Sequence, residues 1–252
     1  MYDPAPESAS IPVHAVTRPV LPLERLGAIV ELVLCSGFPS QLMLIMVLQG
    51  FGMRFRTTEG LLSPAFVFTL SLLDAAVVIG LVFFFLRAHR ESAHDVLLGR
   101  RSSLREAALG IAILPGVFFF VLLVYAAILT FAPQLHNVPR NPLEDMLRTR
   151  SDALIFGVVV MVAGGVREEV QRGFILHRFG QYLGGAGYGV AIYSVLFGLG
   201  HIEQGYDAAI ATALLGALWG LLYLARRSII APMVSHAGFN LAQLIKFFAL
   251  AR

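Results

Sequence analysis

Charge is what this chain has least of. Only 14% of its 252 residues are charged, whereas a soluble globular domain carries about 25%. Lysine occurs once, at Lys246, against 18 arginines and 16 acids, for a formal net charge of +3. The basic residues gather between apolar runs, as topology signals do, so no nucleic-acid partner is expected. Cysteine is as scarce: Cys35 stands alone inside an apolar run, which excludes an intrachain disulfide and leaves packing as its role. Internal repeats, low-complexity tracts and domain linkers are absent. No cleavable leader is visible either. Residues 1–24 are polar and Pro-rich and the first apolar run is followed by no small-residue cleavage site, so that segment is expected to stay in the mature protein.

What fills the chain instead is apolar: 57% of residues are hydrophobic and the mean hydropathy is +0.76. A bilayer core about 30 Å thick needs roughly 20 apolar residues of helix. Such windows fall at about 27–49, 63–87 and 106–132, then more densely at about 152–178, 186–202, 207–225 and 229–250. The expected fold class is therefore all-α, a polytopic transmembrane helix bundle of about seven spans. Pro39 and Pro115 interrupt two spans and read as kinks, tolerated where neighbouring helices satisfy the freed backbone groups. The chain divides into a polar N-terminal tail (1–26), N-terminal transmembrane helices (27–149) and a C-terminal core (150–252). The 88–105 loop holds Arg90, Arg100, Arg101 and Arg105, with Arg87 just before it, and marks the cytoplasmic side. With two spans before that loop the N-terminus is cytoplasmic too, and a bacterial inner membrane is the expected location. Arg178, Arg226 and Arg227 agree with this orientation; Arg140, Arg148 and Arg150 run against it.

Against this background the stretch "GGVREEVQRGF", 164–174, needs an account, because it sets Arg167, Glu168, Glu169 and Arg172 directly after an apolar run. A charge at membrane depth costs roughly 2.5–3.5 kcal/mol, so it must pair or face a wet cavity. Glu168 is four residues and Glu169 three residues from Arg172, so the arginine can reach either acid, which leaves the other free for different work. Two later windows bring further polar groups: "FGLGH" places Phe197 and His201 one helical turn apart, and "HAGFN" does the same for His236 and Asn240. Taken singly, each feature reads as blandly as functionally. The Glu–Arg pair would be an ion pair that fixes packing, His201 an interfacial hydrogen-bonding residue, and His236 with Asn240 interhelical glue. Taken together, a carboxylate and an imidazole that deprotonate water, with two donors for an oxyanion, are the parts of a hydrolytic site.

The Glu-Glu/Arg, FxxxH and HxxxN motifs, in that order on successive late helices, resemble the CPBP family of intramembrane proteases. That family includes type II CAAX prenyl endopeptidases and bacteriocin-processing and self-immunity proteins. The resemblance covers roughly residues 150–245. Phe197 to His201 and His236 to Asn240 match without adjustment. The first motif departs from the family's EExxxR-Gly pattern: Glu168, Glu169, Val170, Gln171, Arg172, Gly173 is one residue short. Anchored on the glutamate pair, the motif makes Glu168 the base, with Glu169 its competitor; anchored on Arg172 and Gly173, it puts Arg167 in the place of the first glutamate.

The resemblance implies an intramembrane endopeptidase acting on a hydrophobic or lipidated peptide, within the lipid bilayer. Glu168 and His201 would activate water, His236 and Asn240 would hold the oxyanion, and Arg172 would hold the glutamates. Two histidines and a glutamate also have the donor types of a zinc site with an open position. Because no HExxH pairing is present, no obligatory metal is expected, and a divalent ion such as Zn²⁺ stays open as an alternative. Two rival readings are a non-catalytic scaffold or immunity protein, favoured by the shortened motif, and a proton-coupled transporter, which would need two related halves that the sequence lacks. Glu31 and Asp74 would pair with arginines or line a cavity. Glu203 and Asp207 read as solvated loop acids, Trp219 as bulk near an interface, and the Gly216–Gly220 GxxxG and the "GLG" before His201 as points of close helix approach.

Overall fold

The computed structural model describes residues 19–139 and 141–250, with side chains at all of these except 145 and 245–250. Among the described residues it is an all-α bundle. The helices are α1 (Pro22–Leu34), α2 (Phe38–Gly50), α3 (Pro64–Ala88), α4 (Ser103–Ala112), α5 (Leu114–Phe131), α6 (Arg150–Val159), α7 (Glu168–Tyr182), α8 (Ala186–Leu199), α9 (Tyr206–Arg226) and α10 (Ile230–Leu250). A π-helical segment, Val160–Arg167, joins α6 to α7 into one rod. Most of the polar tail assigned to residues 1–26 lies outside the described residues, and α1 already begins at Pro22.

The two proline interruptions fall where expected. Gly37, at φ 83°, ends α1, and α2 restarts with Pro39 in its first turn. Pro115 likewise sits in the first turn of α5, two residues after the break at Ile113. Among the described residues, four stretches are long and apolar enough to cross a membrane: Pro22–Gly50, Pro64–Ala88, His94–Phe131 and Tyr206–Arg226. The other expected windows are helices too, but α8 is only 14 residues long and the α6–α7 rod carries the charged cluster. Large apolar side chains such as Phe84, Phe119, Leu122 and Val195 point outward, as they do on an integral membrane protein whose surface meets lipid.

Close approach decides the packing of the late helices. A Cβ at Gly198 would lie 2.5 Å from the Ala209 carbonyl oxygen, and one at Gly216 2.9 Å from Phe197, so α8 and α9 meet at their glycines. Gly110 plays the same part between α4 and α10, where a Cβ would meet the Ala231 carbonyl at 2.7 Å. At the Arg-rich end, buried Glu106 takes both Nε (3.1 Å) and Nη2 (2.5 Å) of Arg226, which ties α4 to α9. Nearby, Arg178 is fully buried. It donates to Glu31 and to Glu91, each at 2.6 Å, tying α7 to α1 and to the loop after α3. Burial of Glu91 pushes its carboxyl upward, but hydrogen bonds from His177, Gln181 and Arg178 outweigh it and hold the group down at about 2.

Candidate active site

The charged stretch of α7 is presented by an irregular helix. The π-helical segment before it contains Gly164 and Gly165, and helical irregularities of this kind gather at functional sites. A Cβ on Gly164 would sit 2.5 Å from Asn240 Nδ2, and one on Gly165 2.7 Å from the Ala237 Cβ. Both glycines let α10 come directly against this backbone, and that approach brings His236 and Asn240 to the start of α7.

There they line a cavity of about 540 Å³ together with Glu168 and His201. Four of the six residues singled out in the sequence therefore converge, from α7, from the end of α8 and from α10. The other two, Glu169 and Arg172, are each 1% exposed and lie behind the cavity wall. Arg172 Nη1 donates to Glu169 Oε1, and the same oxygen is 2.8 Å from His236 Nδ1. The partner of Arg172 is thus the acid three residues away, and Glu168 is the one left facing the cavity. Its Oε2 stands 3.6 Å from His236 Nε2, so the imidazole of His236 spans the two carboxylates.

Acceptors fix the hydrogens on both rings. His201 Nδ1 is 2.9 Å from the Phe197 carbonyl oxygen, which can only accept, so Nδ1 carries the hydrogen and Nε2 is free for the cavity. His236 likewise donates from Nδ1 to the Glu169 carboxylate. Aromatic rings hold the rest. Trp219 stacks on His236 with centroids 3.8 Å apart and 18° between the planes, and Phe197 sits edge-on to His201 at 5.0 Å. The Arg172 guanidinium lies 4.9 Å from the Phe197 ring centre, 5.5 Å from that of Tyr193 and 5.7 Å from that of Trp219. This aromatic cage is favourable for a desolvated cation and accounts for a buried arginine whose Nε and Nη2 lack hydrogen-bond partners.

Two sequence readings change here. Trp219 is not bulk near an interface: it is 1% exposed, and its Nε1 donates to Ser235 Oγ at 3.3 Å. Asp207 is not a solvated loop acid: it is buried and bonds His136 Nδ1 at 2.6 Å, which pins the 132–149 connection to the start of α9. Glu203 is exposed, as expected. The same connection supplies Asn141, Leu143 and Leu147 to the cavity, while α3, α6 and α10 supply apolar walls such as Val67, Phe156 and Leu244. The role of Trp219 was hidden in the sequence because nothing there says which residue stacks on His236. The Gly164–Gly165 pair was the available signal for the approach of α10.

Residues 150–242 match the family model described as Rce1-like, type II CAAX prenyl endopeptidase Rce1-like. The match agrees with the resemblance carried by the three motifs and extends over 93 of the 252 residues. No curated protein and no solved structure matches the chain. All six motif residues fall inside the matched stretch, whereas α1 to α5 fall outside it. Among the described residues, no three His, Cys, Asp or Glu side chains are grouped so as to hold a metal ion.

Proposed function

We propose that the protein is an intramembrane endopeptidase that cleaves a hydrophobic or lipidated peptide with an activated water. The observation that carries the reading is the convergence of Glu168, His201, His236 and Asn240 on one cavity in an otherwise apolar bundle. Glu168 is the base. It takes a proton from water as the water oxygen attacks the peptide carbonyl, and His201, through its free Nε2, helps to hold that water. The oxyanion is met by Asn240 Nδ2 and by Nε2–H of His236. Because Nδ1 of His236 already donates to Glu169, a hydrogen on Nε2 makes the ring an imidazolium in this step. Glu168 then passes its proton to the leaving nitrogen as the tetrahedral intermediate collapses. Glu169 and Arg172 act through His236 and touch no substrate.

Orientation follows from charge. With the Arg-rich 88–105 loop in the cytoplasm, the cavity, lined by the first turns of α3 and the 141–147 stretch, lies toward the opposite side of a bacterial inner membrane. Reporter fusions after Arg101 and after Arg227 should both report cytoplasm and one at Asn137 the other side; equal signals at Arg101 and Asn137 would overturn this orientation. The activity is tested with purified protein and quenched fluorescent peptides, one bearing a C-terminal prenylated cysteine motif and one a plain apolar sequence. Cleavage of either by the wild type, abolished in Glu168→Gln, is the expected result. Full activity in a Glu168→Gln, Glu169→Gln double variant would rule out glutamate catalysis.

A further inference from the structure

A second buried polar group lies outside the cavity and joins the unmatched N-terminal helices to the reactive one. Asp74, in the middle of α3, is 3% exposed and accepts three hydrogen bonds: from Ser40 Oγ at 2.5 Å, from Gln41 Nε2 at 3.3 Å and from Arg167 Nη2 at 2.6 Å. Arg167 is the last residue of the π-helical segment and directly precedes Glu168. Its Nη1 donates to Gln171 Oε1 at 3.1 Å, the same oxygen accepts from Tyr193 OH at 3.0 Å, and Gln171 Nε2 donates to the Cys35 carbonyl at 2.6 Å.

The break between α1 and α2 is shaped for this group. A helix running through residues 35–38 would keep the Cys35 carbonyl for its own ladder. The left-handed turn at Gly37 releases it to Gln171, and a Cβ at Gly37 would overlap the Arg167 guanidinium. The kink thus makes room for the arginine and supplies an acceptor to its neighbour on α7. The contacts continue to the cavity wall: Tyr193, held by Gln171, forms one face of the cage around Arg172, which bonds Glu169, which bonds His236.

We propose that Asp74 is a positioning residue of the peptidase, acting through Arg167 to lock the π-helical segment in the orientation that points Glu168 into the cavity. The proposal rests on the reading of Glu168 as the base. It assigns to α2 and α3, outside the matched region, a part in the reaction that a mere lipid-facing support would lack. An ion pair this buried fixes geometry more surely than it adds stability, because two well-packed neutral groups are often tolerated in its place.

Asp74→Asn keeps the shape and removes the charge, and the Asp74→Asn, Arg167→Gln double variant removes both charges and strands neither. With the quenched peptides, the double variant should fold, keep KM within about threefold and lose about tenfold or more in kcat. Asp74→Asn alone should lose at least as much, and the two substitutions should be non-additive. Hydrogen exchange gives a readout that needs no turnover: amides of residues 160–168 should exchange at least about tenfold faster in the double variant, while those of α9 stay unchanged. Wild-type kcat in the folded double variant, or unchanged exchange at 160–168, would overturn the proposal. A wild type that cleaves neither peptide, with the exchange difference present, would uphold the clamp and sink the peptidase reading instead.

Discussion

α5 and α7 show how differently two helices of one membrane protein can be built. Of its 18 residues α5 buries only Val117 and Ile128, and it presents Phe119, Leu122 and Phe131 outward. α7 buries ten of its 15, and four of these, Glu169, Gln171, Arg172 and Arg178, are polar or charged. The difference follows from the solvent. In lipid an apolar side chain gains little by turning inward, so a uniformly apolar helix stays at the periphery, whereas polar groups must find partners inside the bundle. In this chain the least hydrophobic helix therefore marks the interior, the reverse of a soluble protein.

The severest way to break that contrast is to strand a charge inside α7. Arg172→Ala removes the guanidinium partner of the buried Glu169 carboxylate and should destabilise the protein by about 3–5 kcal/mol, read as loss of folded protein in detergent; wild-type stability would show that the interior of α7 is wetter than its burial suggests. Glu168→Gln should leave folding intact and cut turnover at least about 100-fold, while Glu169→Gln, which weakens only the hold on His236 and Arg172, should cost less. A reversed ranking would move the base to the buried acid. Trp219→Leu removes the ring stacked on His236, a contact of about 0.5–1.5 kcal/mol, and should lower kcat by roughly two- to tenfold.

A smaller effect belongs to the Arg-rich end. Glu91 is held at about 2 against an ordinary value of 4.5, so in the folded state it binds its proton less readily than in the unfolded one. Its contribution to stability is present above about pH 4.5 and is lost as pH falls from there toward 2. Acid unfolding followed by tryptophan fluorescence should lose this part of its pH dependence in Glu91→Gln. Smallest of all should be Phe119→Ala on α5, expected within about 0.5 kcal/mol of wild type in thermal unfolding. A larger loss would mean that the outward face of α5 packs against something other than lipid.

The fold class and most of the cavity were legible in the sequence because both rest on simple signals: long apolar runs, and polar groups too costly to leave alone in lipid. Glu168, His201, His236 and Asn240 could be gathered on one cavity by that reasoning, and Glu31 and Asp74 do meet arginines, Arg178 and Arg167. What the sequence left open was direction. The spacing allowed Arg172 to reach either glutamate, and only the helix geometry assigns it to Glu169. Asp207 was misread because its partner, His136, lies 71 residues away, and Trp219 because its stacking depends on how α9 lies beside α10. The π-helical segment has no composition signature of its own; its glycines read as close-approach residues without revealing the change in hydrogen bonding.

That segment also separates the azimuth of α6 from that of α7. An i→i+5 ladder takes up more chain per turn than an α-helix, so the apolar face of α6 and the cavity-facing side of α7 can each be aimed where it is needed along one continuous rod. Removing a single residue from 160–167 would turn the two parts by about 100° against each other. Either Glu168 would leave the cavity or α6 would swing its apolar side away from α3. The first motif is itself one residue shorter than EExxxR, so the π-helical stretch lies immediately upstream of the position where the spacing departs from that pattern.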